Sequence, residues 1–286
     1  MDPVFMAMTD GKLYIADYPV SVHSYAVGPE GLTFIKSFSR PGQGPGEFNI
    51  IFRMRVFGDH MDIAGSKKLA RFSLDGKYLD EVTFPISVIK GWILRLGEDY
   101  VARDIQITDV ETTSAIRLYD KNFKLIKELG TAKVGYGFEK INLAGDYYSQ
   151  RVVDDRIYVA HSGKDTVIAV FDRDGIKKKE ILLPLEPVKM TAALKDILSQ
   201  PMRDDQESKA RWKETEKLLY FPDFTPGLDY FDVVEGKFVA RTYHHTQDAV
   251  EFVIFDQQGR ESRRLNLPFT GAVNNSVHFC FYQGSY

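Results

Sequence analysis

The chain has 286 residues, 44% of them hydrophobic, 27% charged and 13% aromatic, with a formal net charge of −3. That is the composition of a globular chain with a core, and the missing basic excess counts against nucleic acid as a partner, because neutralising phosphates drives that affinity. A single cysteine, Cys280, excludes an internal disulfide and a CxxC metal framework, and no run of 18 apolar residues is present, so no transmembrane segment is predicted.

In chain order the sequence reads as a repeat. Met1-Asp2-Pro3-Val4-Phe5 lacks the basic region and long apolar core of a signal peptide, which leaves open a cytoplasmic protein and one whose signal has been removed. A first strand over Val4–Met8 is followed by Leu13-Tyr14-Ile15-Ala16-Asp17 and a turn at Val27-Gly28-Pro29-Glu30-Gly31. After the glycine-rich stretch Arg40–Phe48 the same order returns: a strand over Phe52–Phe57, Met61-Asp62-Ile63-Ala64, and a turn at Phe72-Ser73-Leu74-Asp75-Gly76. It returns again as Trp92–Leu96, Tyr100-Val101-Ala102 and Tyr119–Phe123, and then as Tyr148–Val153, Ile157–Ala160 and Phe171-Asp172-Arg173-Asp174-Gly175. Residues 186–221 interrupt the period; Thr191–Leu198 and the charged run Asp204–Lys217 predict two short helices bounded by Pro187, Pro201 and Pro222. The fifth copy is Tyr230–Val234, Phe238-Val239-Ala240 and Phe255-Asp256-Gln257-Gln258-Gly259. Ser276–Tyr282 opens a sixth, in which Cys280 is expected to be a buried, inert thiol.

An alanine ending the second strand of five copies, in phase with an Asp-Gly-like hairpin signal, is not a chance pattern. Four strands per period is the unit of a propeller blade. The prediction is therefore an all-β, six-bladed β-propeller spanning 1–286 as a single domain. Its blades fall at about 4–39, 52–85, 91–129, 147–185 and 228–268, with an incomplete last blade at 275–286 and a short helical insertion at 186–221 between blades four and five. Two consequences are expected of the partial blade: association as a homodimer through its open edge, and a native chain about 25–30 residues longer.

Two stretches carry a resemblance to a known family. Leu13–Asp17 followed by Arg40-Pro41-Gly42-Gln43-Gly44-Pro45-Gly46-Glu47-Phe48 is similar to the NHL interblade pattern, and Tyr220-Phe221-Pro222 through the Phe255–Gly259 hairpin is similar to the later part of a bacterial envelope group. The chain thus resembles the NHL-like and TolB-like six-bladed β-propeller proteins. The resemblance implies a periplasmic or cell-envelope location and is poor in functional information, because propellers host unrelated activities. No Trp-Asp or Gly-Gly pair occurs, against WD40 and kelch repeats.

Few motifs point to chemistry. Gly42-Gln43-Gly44-Pro45-Gly46 lacks the spacing of a phosphate loop, and Pro45 removes an amide, so an interblade turn is expected. His244-His245 reads as a surface-loop pair whose adjacent side chains diverge. A central Ca or Zn would need distant partners such as His161, Asp17 or Asp104. Asp154-Asp155 and Asp204-Asp205 are read as a turn and a helix start. No Gly-x-Ser-x-Gly elbow is present, and Ser/His/Asp spacing says nothing because triads assemble in space. Arg40, Arg53, Arg95, Arg103, Arg151 and Arg241 fall near strand ends in several copies. They form either inter-blade salt bridges with Asp17, Asp104 and Asp229, or a basic mouth for an anionic ligand. The candidate ligand-binding set is Arg40, Arg103, Arg151, His161, Arg241 and Tyr243, on a face shared by the Arg40–Phe48 loop and the insertion, whose Trp212, Leu218, Leu219 and Phe221 are expected to pack on blades four and five. The function expected is non-catalytic binding or scaffolding, without a cofactor, for a protein, peptide or glycan ligand. The alternative is a metal-dependent hydrolase or lyase with a central-channel site.

Overall fold

The computed structural model describes residues 3–17, 20–57, 59–84, 88–107, 112–133, 136–137, 140–144, 148–162, 165–204, 212–246 and 248–268. The chain is all-β with few helices, built of five four-stranded antiparallel sheets in strict sequence order, the blades of a β-propeller. It falls into two compact units, Met1–Ile93 and Leu94–Asn274.

The first unit holds sheet one (Pro3–Thr9, Lys12–Asp17, Ser21–Gly28, Gly31–Phe38) and sheet two (Arg53–Val56, His60–Ala64, Lys68–Ser73, Tyr78–Thr83). Its core joins Tyr14, Ala16 and Val22 of sheet one to Met61, Ile63 and Phe72 of sheet two. Tyr14 is wholly buried and donates its hydroxyl to the Leu74 carbonyl at 2.9 Å, so its one polar atom is satisfied across the two sheets.

The unit boundary falls in the first strand of sheet three (Val88–Leu96, Asp99–Ile107, Thr112–Tyr119, Leu125–Lys133). The second unit goes on with sheet four (Tyr148–Val153, Arg156–Ser162, Thr166–Phe171, Lys177–Leu183) and sheet five (Tyr230–Val234, Lys237–His245, Ala249–Phe255, Glu261–Pro268). One apolar cluster, with Leu118, Val159 and Phe171, joins sheets three and four; another, with Ile168, Phe231 and Phe255, joins four and five.

The repeat has a physical cause in each copy. Ala16, Ala64, Ala102, Ala160 and Ala240 are all buried, at 2% exposure or less. The hairpin between third and fourth strands is held by Asp120, Asp172 and Asp256, whose carboxylates each accept two backbone amides of the turn. The turn's fourth residue takes a left-handed conformation, φ 69° at Gly76, 70° at Gly175 and 79° at Gly259. Phe123 does the same at φ 59°, stacked on Tyr100 with ring centroids 4.8 Å apart. Asp154 and Asp155, at φ 49° and 55°, make the expected turn. Every outer strand also carries a bulge, one residue past this turn's exit pair at Leu79, Ile126, Lys178 and Ser262, and further along the strand at Ile35 in sheet one. A bulge twists an edge strand away from a partner and discourages strand addition.

Several expectations need correction. Among the described residues five blades are present, not six: each described repeat completes its own four strands, and the residues assigned to the partial sixth, 275–286, with Cys280, lie outside the described residues. Helix α1 (Ala192–Asp204) runs through Pro201, which was expected to bound it; a proline has helical φ and near a C-terminus forfeits only one backbone bond. Asp204 therefore belongs to α1 and does not start a second helix. Of the second expected helix, residues 205–211 lie outside the described residues, and the rest forms a helical turn, α2 (Trp212–Thr215), continued by a 3₁₀ turn at Glu216–Leu218. Leu218 is 36% exposed and lies outside the core; Met190, Leu194 and Tyr243 form the cluster on which Phe221 packs. The insertion also supplies a strand, Leu219–Tyr220, pairing in parallel with Lys140–Asn142, which pairs with Tyr136–Gly137. Among the described residues no helix is long and apolar enough to cross a membrane.

Candidate functional site

In the second unit the structure gathers part of the predicted arginine set around one ring. Arg151 and Arg241 are buried at 0% and 1% exposure, and their guanidinium carbons lie 4.6 and 5.4 Å from the centroid of Tyr230. Arg241 and Tyr230 are cross-strand partners in sheet five, whereas Arg151 reaches across from the first strand of sheet four and also covers Phe231 at 4.9 Å. Arg241 donates Nε to Asp229 at 2.6 Å, and Arg151 Nε lies 3.3 Å from Asp232. The Asp229 pair expected between blades is thus formed within one blade, and the inter-blade carboxylate is Asp232. Tyr230 donates its hydroxyl to Asp232 at 3.1 Å, so cations, ring and carboxylates neutralise one another.

A bulge shapes the edge of this cluster: four residue steps from Arg241 to His245 face two from Phe252 to Val250. It turns His245 inward, where its side chain is 1% exposed, while His244 stays exposed. Both histidines lie in the second strand of sheet five and not in a loop, and only His244 is exposed as expected. His245 donates Nε2–H to the Thr242 carbonyl at 2.7 Å, lies 3.6 Å from Asp229 and stacks on Tyr243. Burial pushes its pKa below the ordinary histidine value; Asp229 opposes the shift and Arg241 adds to it. Tyr230 and Asp232 were not singled out as site residues in the sequence, and His245 was read there as a surface-loop residue; the neighbouring Asp229 was the available signal.

The other candidates have contacts of their own. Arg103 donates Nε to Ser114 at 2.6 Å, and His161 is half-buried opposite Tyr148 and Val167. Asp104, buried at 1%, accepts from Arg117 at 2.9 Å and from the hydroxyl of Tyr119, whose pKa rises through burial and that carboxylate. Asp17, in the first unit, pairs with His23 at 3.6 Å. Asp104 is bound to a guanidinium, and among the described residues no group of three His, Cys, Asp or Glu is placed to hold an ion.

Arg40 belongs to the first unit, where the glycine-rich loop is braced from within. Gly44 N–H donates to Glu47 and Gly46 N–H to Glu81, at 3.0 and 3.1 Å; Gly42 N–H is used by the Phe48 carbonyl. The amides a phosphate would need are taken by carboxylates, which supports the interblade-turn reading. Arg40 Nε donates to Glu47 at 2.7 Å, and Lys68 donates to the Gly44 carbonyl and to Glu81. The Gly44 amide and Arg40 hold the Glu47 carboxyl below its usual range. Gly42 has no room for a side chain, since a Cβ would lie 2.1 Å from Glu47 Oε2. Beside this loop opens a cleft of about 290 Å³, walled by Gly42, Glu47, Phe48, Lys68 and Glu81. Gln43, Asn49, Ser66, Lys67 and Thr83 also line it, and their side chains make no hydrogen bond among the described residues.

Sheets, hairpins and cores together define the class: an all-β propeller. No family model matches the chain, and no curated protein sequence matches it. Among solved structures it is similar to the computationally designed Ika8 protein, at 8% identity over 92% of this chain and 74% of that one, with a TM-score of 0.47. The WD40 domain of Neurospora crassa Pan2 is similar at 10% identity over 94% and 66%, with a TM-score of 0.45. A protein of unknown function from Bacteroides caccae is similar at 11% identity over 91% and 80%, with a TM-score of 0.46. The class rests on the sheets described above and not on these likenesses.

Proposed function

We propose that the cleft beside the Arg40–Phe48 loop is a non-catalytic binding site, in which the first unit of this propeller takes a polar ligand, a peptide or a glycan. The observation that carries the reading is the division of labour in that cleft. Glu47, Glu81, Lys68 and the loop amides satisfy one another, whereas Gln43, Asn49, Ser66, Lys67 and Thr83 line it with side-chain donors and acceptors not bonded within the described protein. A preformed wall with convergent polar groups is what a small-ligand site needs, and about 290 Å³ is at the lower end of such sites. Arg40 is the predicted ligand residue joined to this wall, through Glu47. Arg151 is assigned to holding sheets four and five together, and Arg241 to bracing sheet five. Kinship with NHL-like and TolB-like propellers, and with it an envelope location, belongs to this reading on the strength of Leu13–Asp17 and Arg40–Phe48.

The test is a screen of the purified chain on peptide and glycan arrays, followed by calorimetry with the best probe. Gln43→Ala and Asn49→Ala should each weaken binding about tenfold, roughly one lost hydrogen bond, with an unchanged melting temperature. A probe that binds equally well to both variants, or no retained probe, overturns the reading. Light scattering on the same sample shows whether the chain also pairs with itself.

A further inference from the structure

On sheet one, away from the residues of that cleft, three side chains from three strands come together. Ser37 on the outer strand lies opposite His23, and His23 opposite Ile15, two residues before Asp17. Ser37 Oγ is 2.7 Å from His23 Nδ1, and His23 Nε2 is 3.6 Å from Asp17 Oδ2. Ser37 is exposed, while the side chains of His23 and Asp17 are 16% and 15% exposed. With its proton on Nε2 facing the carboxylate, the imidazole presents the Nδ1 lone pair to the serine hydroxyl, which donates to it. That is the order a nucleophile, a base and an orienting acid require: accessible, shielded, shielded. Two features of the backbone agree. The strand is the last in its sheet, so alternate N–H groups on its outer side have no partner in that sheet and are available to an oxyanion. Ser39, two residues on, holds φ at 64° and buries a hydroxyl that has no partner among the described residues, the kind of local strain that gathers at functional positions.

The geometry points to Ser37 as an activated nucleophile that accepts an acyl group from a carboxylic ester. Ser37 Oγ attacks the ester carbonyl carbon and its proton passes to His23 Nδ1. The bond to the alkoxide breaks and the alcohol leaves with that proton. Water then attacks the acyl-serine carbon by the same route, releasing the acid and restoring the serine. Asp17 is a positioning residue, acting through the imidazole.

A fluorophosphonate probe tests this on the whole chain, since attack by Ser37 Oγ forms an O–P bond and expels fluoride. Peptide mapping should place the label on Ser37 ahead of every other serine. His23→Ala should slow labelling of Ser37 by at least about a hundredfold, the range of lost general-base catalysis. Asp17→Asn should slow it less, and Asp17→Glu should restore part of the rate, a split that a purely structural aspartate would not give. All three variants keep Ser37, and circular dichroism reports their folding. Labelling of Ser37 no faster than of other exposed serines, or at the same rate in a folded His23→Ala chain, overturns the proposal.

Discussion

Breaking the buried Arg241–Asp229 pair should cost far more than breaking an exposed pair of nearly the same length. The Arg241–Asp229 bond is 2.6 Å long, with side chains 2% and 9% exposed, whereas Arg260–Asp256 is 2.7 Å long with Arg260 77% exposed. An exposed pair contributes about 0–1 kcal/mol, because water screens it and both side chains must be ordered. Breaking a buried pair leaves a guanidinium that has lost its carboxylate and cannot regain water, at a cost of about 3–5 kcal/mol. Asp229→Ala should therefore lower the urea midpoint on the order of 1–3 M, while Arg260→Ala should shift it little. The double variant Asp229→Leu, Arg241→Leu should recover a large part of the loss, because desolvation of both charges disappears with the pair. Circular dichroism in urea measures all three. An Asp229→Ala chain no less stable than Arg260→Ala would refute the reasoning and return Arg241 to the candidates for ligand binding.

Arg151→Ala, which removes a wholly buried guanidinium lying over Tyr230 and Phe231, should lower the melting temperature and leave binding at the cleft unchanged, read by calorimetry. His245 gives a pH signature: its folded pKa is lowered, so the unfolded chain takes up the proton first as pH drops below about 6.5, and stability is lost from there down to the folded pKa. Above that range it contributes no pH dependence. Urea midpoints at pH 8 and pH 5.5 should differ more for the parent than for His245→Gln, and equal differences would count against the buried neutral imidazole. Gly175→Ala should destabilise by about 1–2 kcal/mol, because φ is 70° and the new Cβ would sit 3.1 Å from Leu129 Cδ2, which thermal unfolding measures.

The sequence by itself determined the repeat, because each copy is written in local chemistry. An aspartate that folds onto its own turn amides and a glycine that takes positive φ act within a few residues. An alanine recurring in the second strand of each copy marks a buried position, although three of the five second strands, expected to end there, run on past it. For that reason the first strands expected at Tyr148–Val153 and Tyr230–Val234 stand where they were read. The helix through Pro201 and the parallel pairing of Leu219–Tyr220 with Lys140–Asn142 were decided by tertiary contact, since local punctuation is weaker than packing against Met190, Leu194 and Tyr243. The same division separates the sites. That arginines recur in several copies was legible, although Arg103, Arg151 and Arg241, expected near strand ends, lie within their strands. Which of them are buried against Tyr230, and which is joined to an open cleft, depended on neighbours far away in sequence. Asp232 meets Arg151 and Asp17 meets His23 only because strands are paired and sheets stacked. His245 shows the reason most plainly: a bulge of two residues turns its ring from solvent into a sheet, and nothing in His244-His245 marks which imidazole will be buried.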